Sequence, residues 1–299
     1  VNPTGGLPFE LHAPLPALSD PVLLVQFTGW IDASGAANAA MDHIAAAIDA
    51  KELLTFDGDT FIDYRARRPV MELRDGVNTR IVWGAPVMRV GADAKGKDIV
   101  LLSGPEPDTA WRHFARTVGE LAMELGVTKM VALGAYPYGA PHTRPVGLST
   151  TTPDESISRR LRHSRNSLDA PAGVAAVLEH ELHGRGIEAM GFWAQIPHYV
   201  ATMAYPAGTA ALIEAVSAEA GLVIDTTTVV KEALTQRERL DQLVASNPEH
   251  AEMLSKLEEA YDTMHSPAAI DIASNLPSAD QLAAEVEQFL RDQQTGGTQ

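Results

Sequence analysis

The sequence predicts an α/β fold, a mostly parallel sheet flanked by helices, with a helical appendage at its C-terminal end. Three observations lead there. Short apolar runs at Val22–Phe27, Asp98–Leu102, Met130–Leu133 and Ile187–Ile196 have the length and content of buried strands. Two of them are joined by a helix-spaced apolar face, Trp111, Ala115, Val118, Leu121, Ala122 and Leu125, which makes a βαβ unit with a right-handed crossover. From about Asp225 the pattern becomes wholly helical, so we divide the chain into a core at 1–224, including an N-terminal arm, and an appendage at 225–299.

Along the chain, residues 1–21 are proline-rich and aperiodic, as expected of an extended arm. The Val22–Phe27 strand leads through Thr28-Gly-Trp-Ile-Asp32 into a helix marked by Ala36, Ala40, Met41, Ile44 and Ile48, with Asp32 or Ser34 placed to cap it. Leu53–Phe56 reads as a strand. Residues 70–90 read as an extension of the sheet, with Asp75-Gly76 as a hairpin turn. Asp108 is expected to cap the Trp111 helix, and Gly126 to end it.

Beyond the Met130 strand, Ala135–Pro145 carries two tyrosines, His142, Arg144 and three prolines, which stiffen it. Residues 147–169 read as loop with a helical turn near Ile157–Leu161. Helices follow around Val174–Leu182 and Leu212–Val216. In the appendage, Val230, Leu234, Leu240 and Val244 mark one helix, and Met253, Leu254, Leu257 and Tyr261 a second, with Pro248 at its start. Leu282, Val286, Phe289 and Leu290 mark a third, opened by a Ser278/Gln281 capping box.

Composition narrows the function. With 299 residues the chain can bury a large core, and 23 basic against 39 acidic residues argue against a broad nucleic-acid surface. An arginine strip at 159, 160, 162 and 165 reads as a solvated or subunit-contacting face, or as an anion site. The absence of cysteine removes disulfides, thiolate nucleophiles and cysteine-ligated zinc, and fits a cytoplasmic home. No apolar run approaches the ~20 residues that span a bilayer, and no membrane association is expected.

Ligands of open α/β sheets bind beyond the carboxyl ends of the strands. Loops there would bring Trp30, Asp32, Glu106, Tyr136, His142, Arg144, His198 and Tyr199 into one neighbourhood, our candidate ligand site. Asp32, His142 and His198 could then act as an acid/base set, or serve as a helix cap and structural hydrogen-bonding groups. No catalytic set is singled out. No metal or cofactor is expected: His180 and His183 lack the zincin pattern and read as solvated beside Glu179 and Glu181, Ser103 and Ser149 lack a nucleophile elbow, and there is neither a P-loop nor a dinucleotide fingerprint.

Four separated motifs, Gly29-Trp-Ile-Asp-Ala33, Ser103-Gly-Pro-Glu-Pro-Asp108 with Trp111, Gly134-Ala-Tyr-Pro137 with Pro141-His-Thr-Arg-Pro145, and Gly191-Phe-Trp-Ala-Gln-Ile-Pro-His-Tyr199, resemble the actinobacterial branch of the proteasome assembly chaperone family. The resemblance spans about Leu23 to Gly221. It implies a core similar to that of purine nucleoside phosphorylases and related hydrolases. It also implies a non-enzymatic, chaperone-like protein that binds itself, as a trimer, and other proteins such as proteasome subunits. The terminal Gly-Gly-Thr-Gln departs from the hydrophobic-Tyr-any tail of the eukaryotic members. The rival reading is a small-molecule binder or a phosphorylase/hydrolase-type enzyme built on His142, Arg144, His198 and Asp32.

Overall fold

The computed structural model describes residues 7–161, 163–164 and 167–264. Packing divides the chain at Ser246/Asn247 rather than near residue 225. The helix Thr227–Ala245 belongs to the first unit because it buries Val229 and Leu240 there, Leu240 against the core.

The first unit is organised on an eight-stranded sheet in the order β1-β3-β6-β7-β2-β8-β10-β9. These strands are β1 (Phe9–Leu11), β2 (Val22–Thr28), β3 (Lys51–Phe56), β6 (Val87–Ala92), β7 (Asp98–Pro105), β8 (Lys129–Tyr138), β9 (Leu148–Thr151) and β10 (Glu188–Pro197). The central four, β7, β2, β8 and β10, are parallel; β6 and β9 flank them antiparallel. Strands β3 and β1 extend the sheet beyond β6.

Helices cover both faces. Along β2, Val22 and Leu24 point to one side and Leu23 and Val25 to the other, and all four are buried. Helices α1 (Ala36–Ala47) and α6 (Pro206–Ala220) pack on the first face, through Met41, Ile44, Leu212 and Ile213. Helices α3 (Trp111–Glu124) and α5 (Val174–His183) cover the second, through Phe114, Val118, Leu178 and Leu182. Two short helices, α2 (Gly58–Phe61) and α4 (Glu155–Arg160), lie in the connections, and α7 (Thr227–Ala245) packs against α6.

Four local expectations change. Only β6 of residues 70–90 joins the main sheet: β3 and β7 occupy both its edges, and β4 (Val70–Arg74) with β5 (Val77–Val82) forms a separate two-stranded sheet. Its turn is Asp75-Gly76, both at positive φ (51° and 80°), as a type I′ hairpin demands. Strand β8 runs on to Tyr138, because β10 pairs with it along its whole length, so Tyr136 and Tyr138 are strand residues. Strand β9, read as loop, is an edge strand on β10. Asp108 does not cap α3; its carboxylate accepts from the Asp63 N–H at 3.0 Å and Arg67 Nε at 2.9 Å.

The second unit contributes α8 (Pro248–Met264), with proline at its first position and the Asn247 side chain accepting from the Glu249 N–H. The expected third helix at Ser278–Leu290 and residues 1–6 of the arm lie outside the described residues.

Candidate functional site

Strands β2, β7, β8 and β10 end at one edge, in the register Thr28 beside Pro105 and Pro197 beside Tyr138. The loops that follow therefore leave from a common rim. All eight candidate residues sit on or near this rim, in several separate arrangements.

Asp32 continues the line of β2, bridging to Ala135 on β8. Its carboxylate accepts the N–H groups of Ala37 and Asn38, both at 2.9 Å, and so caps the amino end of α1. Burial pushes its pKa up, and the two N–H bonds only partly offset this. Glu106, also buried, serves α5 in the same way: its N–H bonds to Thr28 O, and Oε1 accepts from Val174 N at 2.7 Å. Trp30 stands nearby, since a Cβ on Gly173 would lie 3.0 Å from both Glu106 Oε1 and Trp30 Cδ1.

Tyr136 faces the α5 side, where its hydroxyl meets Ser149 Oγ at 3.2 Å and accepts from Gln195 Nε2 at 3.0 Å. His142 and His198 flank one ring. Tyr199 makes edge contacts with both, at centroid separations of 5.8 and 5.3 Å. His198 is exposed, whereas the His142 side chain is 1 % accessible. Around His142, one assignment of protons satisfies three bonds. The Tyr199 hydroxyl accepts from the His142 N–H (2.8 Å) and donates to Nδ1 (2.7 Å), while Nε2–H donates to Asp241 Oδ1 on α7 (3.1 Å). Arg237, one turn before Asp241, donates to Thr143 O at 3.2 Å.

His142 and Arg144 line a groove of about 400 Å³ between their loop, α6 and α7. Its remaining polar wall is Thr143, Tyr205, Glu214 and Arg237; Asp32, His198 and Glu106 are not part of it. Burial raises the Tyr205 pKa, with Tyr199 adding to the effect and Arg237 opposing it. Among the described residues there is no group of three His, Asp or Glu side chains able to hold a metal ion. His180 and His183 are exposed as expected.

Sequence reasoning missed Asp241 and Arg237, because α7 read as part of a separate appendage, and it missed Tyr205, which directly precedes α6. The i,i+4 spacing of Arg237 and Asp241 was the available signal. It also missed Glu179, which is buried rather than solvated. Glu179 accepts from Thr151 Oγ1 at 2.8 Å, and burial raises its pKa to about 7. Its spacing from Ala175 and Leu182 places it on the inner face of α5. Of the arginine strip, Arg159 pairs with Glu155 and Arg160 grips Glu219 with two bonds of 2.8 Å; Arg162 and Arg165 lie outside the described residues.

A sequence profile described as the PAC2 family matches residues 26–244, from the middle of β2 to the end of α7. The chain belongs to the PAC2 family. Several of the solved structures similar to this PAC2 protein come from actinobacteria. A Mycobacterium tuberculosis protein of unknown function is 30% identical, with a TM-score of 0.79 over 88% of this chain and 94% of its own. A Streptomyces avermitilis PAC2 family protein is 31% identical, with a TM-score of 0.71 over 79% of this chain and 100% of its own. A Mycobacterium tuberculosis proteasome-assembly chaperone homologue is 31% identical, with a TM-score of 0.73 over 78% and 99%. No curated protein matches the sequence. The α/β architecture and the kinship with proteasome assembly chaperones expected of this PAC2 chain thus hold, and among the described residues no helix is long and apolar enough to cross a membrane.

Proposed function

We propose that this PAC2 protein is a non-enzymatic, chaperone-like binder of proteins that works in the cytoplasm and associates with itself as a trimer, with proteasome subunits as its partners. The observation that carries the reading is the use made of the polar groups at the strand ends. Asp32 and Glu106 close the first turns of α1 and α5, and His142 is enclosed by Tyr199 and Asp241. These groups hold the rim together, and the groove that His142 lines includes neither Asp32 nor Glu106. The similarity to a proteasome-assembly chaperone homologue supports this choice of partner class.

The test has two parts. Light scattering on the eluting protein should give the mass of three chains, and immobilised protein should bind purified proteasome α or β subunits, with His142→Ala binding as the wild type does. A single-chain mass removes the self-association, and absence of binding to either subunit removes the assignment of partner.

A second reading, a small-molecule binder, draws on the groove beside His142 and Arg144, whose size is within the range of ligand pockets. Under it, His142→Ala would abolish retention of a co-purifying small molecule, detectable by mass spectrometry of the denatured protein.

A further inference from the structure

The groove between α6, α7 and the loop 142–146 contains a polar group that the fold leaves unused. Tyr205 lines it and is only 4 % accessible, yet among the described residues its hydroxyl has no hydrogen-bonding partner. A buried hydroxyl without a bond is destabilising. A ligand atom placed against it removes that cost.

The same end of the groove carries positive charge. Arg237 stands close enough to the Tyr205 hydroxyl for its charge to act on it. It gives one N–H to Thr143 O at 3.2 Å and lies 3.9 Å from Asp241, which is not part of the wall, so its guanidinium has further donors to offer. Burial keeps the phenol protonated at neutral pH. The pair therefore presents O–H and N–H donors together, one of them charged, and a carboxylate accepts from both.

The rest of the trough is apolar. Ala207, Ala210 and Ala211 on α6 stand opposite Val230, Ala233 and Leu234 on α7. The alanines are too short to fill the space between the two helices, and the groove is what remains. Positions 207, 210, 211 and 214 fall on one face of α6, so the trough runs about 10 Å along that helix, from the Tyr205 end to Glu214. Glu214 is exposed and repels an anion, which sets the polarity of the site. We propose that this groove binds an aliphatic monocarboxylate of medium chain length, its carboxylate held by Tyr205 and Arg237 and its chain lying over the alanines towards Glu214.

This inference names the ligand class for the small-molecule reading above and rests on it, and the experiment separates the two. The full-length protein is titrated calorimetrically with butanoate, hexanoate, octanoate and octanol. Protein as purified is also denatured and its released small molecules identified by mass spectrometry. Octanoate should bind, with each methylene added along the series tightening binding about two- to fourfold. Octanol, which has the same chain and no charge, should bind at least about 10-fold more weakly. Tyr205→Phe should weaken octanoate binding about 10-fold and Arg237→Gln about 30-fold. Tyr205→Phe removes only a hydroxyl that the protein itself does not bond, so without octanoate it should melt at or above the wild-type temperature. Ala211→Leu fills the trough and should abolish binding. Octanoate that binds alike to wild type, Tyr205→Phe and Arg237→Gln, or octanol that binds as well as octanoate, overturns the carboxylate site. If octanoate does not bind but a different compound is released from wild type and missing from His142→Ala, the ligand class is overturned and the pocket stands. If neither is seen, both fall.

Discussion

His142 Nε2 lies 3.1 Å from Asp241 Oδ1, and through that bond the loop after β8 holds helix α7. The imidazole is closed off from water while the carboxylate is half exposed. The pair therefore acts as a pin through the rim of the sheet, and the Tyr199 hydroxyl fixes its other end.

Removing the pin should loosen α7 before it loosens the sheet. His142→Ala leaves Tyr199 and Asp241 each short of a partner and is expected to cost about 1–3 kcal/mol in urea unfolding. Asp241→Asn keeps an oxygen acceptor and should cost less. Hydrogen exchange should accelerate in residues 236–245 and remain slow in β8. Equal acceleration in both would show that the bond does not act locally.

Asp32 gives a second prediction of the same kind. Its two bonds to Ala37 and Asn38 are among the few that satisfy the first turn of α1, which opens from Gly35 without a capping side chain of its own. Asp32→Ala should lower stability by about 0.5–2 kcal/mol, the range for lost helix caps. Asp32→Asn, which still offers one oxygen, should recover part of the loss in the same thermal melts.

How much of this was legible in the sequence depends on how locally each feature is determined. The β2–α1 and β7–α3–β8 units were readable because the runs Val22–Phe27 and Asp98–Leu102 are apolar throughout, and because the α3 face repeats at helical spacing. The role of Asp32 as a cap was readable for the same reason: it precedes the helix it serves. Glu106 was not, since the helix it caps begins 68 residues later. Nor was Asp241, whose partner lies 99 residues back. Strand β9 was hidden because three of the four residues of Leu148–Thr151 are polar and the segment gains its extended form from pairing with β10. The hairpin turn was legible in Asp75-Gly76. Its separation from the main sheet was not, because which strands occupy the edges of β6 is a property of the whole topology.

Glu106 supplies a third prediction, concerning α5. Its buried carboxylate meets the first N–H of that helix at 2.7 Å, and no residue of the α5 N-terminus itself provides a cap. Glu106→Ala should destabilise the protein by about 1–2 kcal/mol and raise exchange at Val174 to Val177 ahead of the rest of the helix. Glu106→Gln preserves the accepting oxygen and should stay near wild type. If Gln behaves like Ala, the carboxylate charge rather than the hydrogen bond is what α5 requires.

The last prediction concerns pH. Glu179 sits under the sheet end of α5, accepts one bond from Thr151 Oγ1, and is held so closely that a Cβ on Gly191 would come within 2.7 Å of its Oε1. Burial raises its pKa from 4.5 to about 7. The folded protein therefore holds a proton on this carboxyl that the unfolded chain releases between those two values. Stability contributed by this group is fully present below about pH 4.5, falls as pH rises towards 7, and is lost above it. Glu179→Gln keeps the acceptor for Thr151 and removes the charge. It should come close to the wild type near pH 5 and exceed it near pH 8 by roughly 2–3 kcal/mol, at 1.36 kcal/mol per pKa unit. Urea unfolding at about pH 5, 6, 7 and 8, at one protein concentration, provides the comparison. Parallel profiles for the two proteins would show that Glu179 titrates alike in both states, and that water reaches its carboxylate despite the packing around Gly191.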